Sequence, residues 1–335
     1  MKVDTVTKDF ISDGNVFADV FNYYVYGGRQ VIRPEQLQER DPTELALPYG
    51  ADGAAVPVQR YRDVQKLYTA MTDGKAEYVL LGVENQAEIH YAMAVRNNLY
   101  DALKYAGQVE EAAKSHRKAM GRERKRKLSP ESTTIVVGNK KPDPGEFLGG
   151  FWKEDRLIPS VTLTVYFGCE DWDGPLSLVD MMETHDQEIL SCMDNYHVKL
   201  IAPALMTDDD IMKFRSGLRE VMFFIKYSKD KKKLNETLEI HKKRFQSVSR
   251  RAVDVIEAVT NTGLKYDRKE EKVDMCQAIR EMRMESERIG EERGALENAR
   301  KTAQKLYNMG LDVKTVAEGV DYDVATVKEW LRMEK

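Results

Sequence analysis

The sequence is poor in the residues that staple small or secreted folds. Among its 335 residues only Cys169, Cys192 and Cys276 are cysteines. They are odd in number and widely spaced, which argues against a disulfide framework and against a zinc knuckle. The five histidines do not pair at metal-ligand spacing. No run approaches the roughly 18 consecutive apolar residues that a membrane helix needs. The opening MKVDTVTKDFISDGN has mixed charge and no apolar h-region, so it does not read as a secretory signal. A reduced, cytoplasmic protein with no membrane partner is the expectation. The net charge of −4 decides little, because basic and acidic residues are unevenly placed.

What is present has the proportions of a soluble protein, long enough for one sizeable domain with an appendage or for two small ones. Val16, Val20 and Tyr24 stand at helical spacing before Gly27-Gly28, which predicts a helix over 15–26 stopped by glycines. Pro34, Pro42 and Pro48 punctuate a loop-rich stretch. Residues 62–67 read as a short strand, Asp73-Gly74 as a hairpin turn, and 78–83 as a central strand apolar on both faces. That run stops at Glu84-Asn85-Gln86. From 92 to 106 a helix is expected with Val95, Leu99, Ala102, Leu103 and Ala106 inward and Gly107 near its end. The basic run KSHRKAMGRERKRK (114–127) then opens what reads as an exposed insertion over about 112–157. Alternation through Val161, Leu163, Val165 and Phe167 predicts a half-buried strand, and 197–202 another. Thr207, followed by Asp208, Asp209 and Asp210, marks a helix start. Strands then give way to helices, which places a boundary near Lys231. Residues 231–290 form a helical segment. Residues 291–335 read as a charged helix, with a stripe of Leu296, Ala299, Ala303 and Leu306, and a small helix-turn-helix-like tail beyond Gly310.

The chemistry sits where the central strand ends. A strand covered on both faces has no solvation reason to end in a carboxylate. Glu84 and Gln86, two apart, point to one side of it. Asp63, near the neighbouring strand, could bring a second carboxylate alongside. Two carboxylates about 4–6 Å apart repel unless a cation lies between them. Hard oxygens with open water positions suit Mg²⁺, with the Asn85 carbonyl as a further ligand. Spacing alone favours an acid simply entering solvent.

Three stretches add more: FADVFNYY (17–24), RYRDV (60–64) and LLGVENQAEIHYAMAVRNNLYDALKYAGQ (80–108). With VTLTVYFG (161–168), Trp172, Pro175-Leu176-Ser177-Leu178 and the helix start at Leu205-Thr207-Asp208, they resemble the Rpn family over about the first 230 residues. These are recombination-promoting nucleases and transposase-like proteins, also called YhgA-like, within the PD-(D/E)xK superfamily. The resemblance implies an α/β fold: a restriction-endonuclease-like mixed sheet flanked by helices, followed here by an all-α extension. It implies Mg²⁺-dependent hydrolysis of DNA, with Mn²⁺ as a possible substitute. Asp63 takes the place of the motif aspartate, Glu84 of the D/E, and Gln86 of the usual lysine. Asp19 is a candidate additional ligand. Glutamine can orient water but cannot lend the positive charge of lysine.

Arg96 is a candidate phosphate contact, or else the partner of a nearby acid. Lys125, Arg126 and Lys127 are candidates for tracking a DNA backbone. The acids Glu170, Asp171 and Asp173 read as a polar turn. The carboxy-terminal helices suggest a homo-oligomer more than a base-reading motif. The competing class is a catalytically weak DNA-binding or scaffold protein that keeps the nuclease fold.

Overall fold

The computed structural model describes residues 2–40, 43–46, 58–61, 63–72, 75–127 and 142–332. Val6, Phe10 and Ile11 line one side of α1 (Val3–Ser12). Asp13 then starts α2 (Gly14–Tyr26), its Oδ1 accepting from Asn15 N–H at 2.9 Å and Val16 N–H at 3.4 Å. The glycines end α2 as their spacing predicts. Gly27 and Gly28 have φ of +62° and +92°, a region that side-chain-bearing residues enter only at a cost.

Strands β1 (Leu37–Glu39), β2 (Thr43–Ala46), β3 (Val58–Tyr61), β4 (Val64–Thr72) and β5 (Lys75–Gln86) follow. β4 starts one residue after Asp63 and runs beyond the expected 62–67. Asp73-Gly74 lies outside the described residues; β4 and β5 pair in antiparallel fashion up to Thr72 and Lys75. Next come α3 (Met93–Lys127), α4 (Pro144–Gly149), β6 (Ser160–Tyr166), α5 (Gln187–Ser191) and β7 (Leu200–Ile201). The sheet order is β1-β4-β5-β6-β7. β1, β4 and β5 are antiparallel, while β5, β6 and β7 are parallel. A mixed sheet flanked by helices is therefore the architecture.

Two expectations about α3 are corrected. The helix does not stop at Gly107 but runs on through the basic segment to Lys127. One interior glycine costs about 1 kcal/mol against alanine, which the Ala-, Glu-, Lys- and Arg-rich residues around it offset. The inward face also differs. Val95 and Leu99 are 48% and 37% exposed, whereas Ala94, Asn97, Tyr100 and Asp101 are buried. β6 shows why. Both its faces are covered, so it is not half-buried. Leu163 and Val165 join Leu81, Val83, Val64 and Tyr68 in the apolar core under α1 and α2. Thr162 and Thr164 face α3 and are equally buried. The alternation separates an apolar interface from a polar one.

After β7, a strand of two residues rather than six, the chain is helical: α6 (Asp208–Met212), α7 (Leu218–Tyr227), α8 (Lys231–Ile240) and α9 (Lys242–Phe245). The short pair β8 (Val248–Ser249) and β9 (Lys272–Val273) brackets α10 (Arg250–Thr260). One apolar cluster runs from Val6 to Ile279 and includes Leu234, Phe245, Val253 and Ile256, so helices on both sides of Lys231 share it. The long charged helix α11 (Met275–Asn308) leaves that core. α12 (Val313–Val320) and α13 (Val324–Arg332) close a separate small cluster on Ala303. Among the described residues no helix is long and apolar enough to cross a membrane.

Candidate active site

β5 carries its polar end into the molecule. Glu84 has no exposed surface, and Asn85 and Gln86 are buried. Val64 pairs with Val83, so Asp63, one residue earlier, stands across from Glu84. Asp63 Oδ2 accepts a hydrogen bond from Asn85 N–H at 2.8 Å. In a strand a residue's N–H and C=O point to the same neighbour, so the Asn85 carbonyl is directed to the Asp63 side as well. The structure thus brings Asp63, Glu84 and this carbonyl to one end of adjacent strands.

The cation at this position comes from α3. Arg96 Nη2 lies 2.9 Å from Glu84 Oε2, Arg96 Nε donates to Tyr100 Oη at 3.2 Å, and the guanidinium stands 5.6 Å from the Tyr100 ring centre. Of the two readings of Arg96, the structure gives the partner of an acid. Burial pushes the Asp63 carboxyl up; the Asn85 N–H, Arg96 and Lys8 pull it back, while Asp4 opposes them. Burial works against the charge on Arg96, yet Glu84, Tyr100 and Asp63 together hold it above its ordinary value. The α1 residues Asp4 and Lys8 are neighbours of this site that sequence spacing did not indicate.

Below Glu84 the α3 interface is a buried hydrogen-bond layer. Asp101 accepts from Ser160 Oγ at 3.0 Å, Thr162 Oγ1 at 2.7 Å and Tyr196 Oη at 2.7 Å. Asn97 Nδ2 donates to Thr164 Oγ1 at 2.9 Å, and Lys104 Nζ to Gln65 Oε1 at 3.2 Å. Leaving one such buried group unpaired costs about 1–3 kcal/mol, so the layer fixes the rotation of α3 and with it the aim of Arg96. The one sequence signal for this layer was the threonine alternation in β6, which points equally to solvent.

The remaining candidates divide. Asp19 is buried, and its Oδ2 accepts from Arg215 N–H, Ser216 N–H and Ser216 Oγ at 2.7, 2.7 and 2.8 Å, which anchors the turn before α7. Among the described residues no group of three or more His, Cys, Asp or Glu stands ready to hold a metal ion, so Asp19 does not form such a group with Asp63 and Glu84. The Gln86 backbone carbonyl accepts from Phe167 N–H at 2.8 Å, and the residue is buried. Lys125, Arg126 and Lys127 end α3, but their side chains lie outside the described ones. Glu170 pairs with Lys229 at 2.5 Å, as a polar turn would.

The oxygens at this end of β4 and β5 suit a hard divalent cation. They are two carboxylates and a carbonyl, and the charge of the fully buried Glu84 is met by Arg96. Family models, curated proteins and solved structures give no match to this chain.

Proposed function

We propose that the chain is an Mg²⁺-dependent endodeoxyribonuclease of the Rpn type, serving DNA recombination or mobile elements on a restriction-endonuclease-like sheet. The observation that carries this reading is the convergence of Asp63, Glu84 and the Asn85 carbonyl across the β4–β5 pair. Asp63 and Glu84 would hold Mg²⁺ (or Mn²⁺), with the carbonyl as third oxygen. The ion would supply Lewis-acid stabilisation of the charge that develops on a phosphodiester. Gln86, on the Glu84 side of the strand, orients the attacking water. Arg96 answers for the missing lysine: a guanidinium released from Glu84 is well shaped for a phosphate oxygen pair.

One observation favours the second reading, a catalytically weak DNA-binding or scaffold protein. Glu84 is fully buried and already paired with Arg96. In that reading assembly would use α11, on which Ile289 and Leu296 are 38% and 45% exposed. Plasmid cleavage with Mg²⁺ or Mn²⁺ separates the two. Wild type should cut, and Asp63→Ala and Glu84→Gln should not, with both variants checked for native circular dichroism. DNA binding without cutting, unchanged by either substitution, would overturn the nuclease reading in favour of the scaffold.

A further inference from the structure

Far along the chain from the carboxylates, a cavity of about 320 Å³ opens between the start of α7, α9, β8 and β9. Small-ligand sites begin at about this size. Its walls carry Arg215, Lys243, Arg244 and Lys272, against a single carboxylate, Glu220. That carboxylate is already spoken for: Arg244 Nε and Nη2 lie 2.5 and 3.3 Å from its two oxygens. Arg215, Lys243 and Lys272 have no acidic partner among the described residues. Three exposed cations gathered at one concavity raise its positive potential. The excess positive potential is felt nearby. Burial first, and Arg244 and Arg215 besides, hold the Arg219 guanidinium below its ordinary value.

The neutral part of the lining has matching chemistry. Ser247 and Ser249 line the cavity and bring two hydroxyl-bearing residues to it. Ser249 Oγ accepts from Ala252 N–H at 3.4 Å and retains its own proton to donate. Gly217 lets the two helix starts meet here, since a Cβ on it would stand 3.3 Å from Ser249 Oγ. α7 and α10 therefore add their positive ends to a site that the cations already define.

We propose that this cavity binds a phosphate group, as a mono- or diester, held by Arg215, Lys243 and Lys272 with Ser247 and Ser249 completing its hydrogen bonds. Arg244 is the structural member of the set, tying Glu220 to the Arg215 and Ser216 carbonyls, each at 3.3 Å. The phosphate can come from a DNA backbone or from a free phosphate ester, and the chemistry of the site is the same for both.

Titration calorimetry of the full chain with inorganic phosphate tests the site. Saturable binding is expected, weakened about tenfold for each cation removed in Lys243→Glu, Lys272→Glu and the double variant. These exposed positions leave the Arg244–Glu220 pair intact, and circular dichroism checks the fold. No binding by wild type, or equal binding by the double variant, overturns the proposal. A labelled duplex then identifies the source. If the phosphate belongs to DNA, the double variant also loses duplex affinity, and its salt dependence flattens by about one unit of slope per phosphate. If duplex binding is unchanged while phosphate binding is lost, the ligand is a free ester. Asp63→Asn should bind phosphate like wild type, so failure of the nuclease reading and failure of this one are distinguishable.

Discussion

A carboxylate withdrawn completely from water needs a cation beside it, and in this fold Glu84 has Arg96. Removing one member of a buried pair costs about 3–5 kcal/mol because the other is left uncompensated. The Arg96 side chain is 30% exposed, so water recovers part of that cost. Arg96→Ala is expected to lower stability by about 2–3 kcal/mol in urea unfolding, and Arg96→Met with Glu84→Gln to restore most of it. Equal loss in the single and double variants would show that the pair contributes nothing beyond packing. A second residue gives a pH signature. Lys213 and Thr207 hold the Asp210 carboxyl down at about 2. A depressed carboxyl contributes stability that is complete above its unfolded value, near 4, and is lost as pH falls through the folded one. Unfolding followed from about pH 4 to pH 2 should steepen less in Asp210→Asn, by under about 1 kcal/mol because the pair is partly exposed. An unchanged slope would remove Asp210 from the acid response.

At the scale of elements, α3 shows what the sequence left illegible and why. Local signals worked where one residue decides a conformation: the glycines after α2, the cap at Thr207, and Gly310, which closes α11 with φ of +93°. They failed on α3 because its inward face is polar. Helical periodicity marks a buried face by its apolar residues, whereas Asn97 and Asp101 are buried by virtue of threonine and tyrosine partners supplied some 60 to 95 residues later. The carboxylates were legible as a strand ending in acids, but their counter-charge was not, since pairing Arg96 with Glu84 needs the rotation that this layer sets. Gly107 offers a direct check. A Cβ added there meets nothing within 4 Å, and the helix is continuous on both sides. Gly107→Ala should therefore stabilise the protein by about 0.5–1 kcal/mol in thermal or urea unfolding. Destabilisation would mean that α3 is broken at this point in solution.

The whole molecule is organised by one large core and one strut. Phe245, Val253, Ile256 and Met275 have essentially no exposed surface and belong to the same cluster as Val6, Phe10 and Phe17. The composition change near Lys231 marks a shift from strands to helices, while the packing continues to Ile279. Beyond that, α11 is exposed around its middle and stabilised by ion pairs such as Arg288–Glu285 at 2.9 Å and Lys301–Glu297 at 2.9 Å. Such a helix bridges solvent, and its far end carries the small cluster on Ala303. Truncations should separate these roles. Deleting residues 291–335 removes the strut's outer half and the tail cluster, and the remainder should keep one cooperative calorimetric transition. Deleting residues 231–335 removes at least four fully buried apolar side chains, each worth about 1.5–3 kcal/mol. That sum approaches the roughly 5–15 kcal/mol by which a domain is stable at all, so the shorter chain should show no cooperative unfolding. A sharp transition in it would make Lys231 a true domain edge and Phe245, Val253 and Ile256 a lid over a core complete without them.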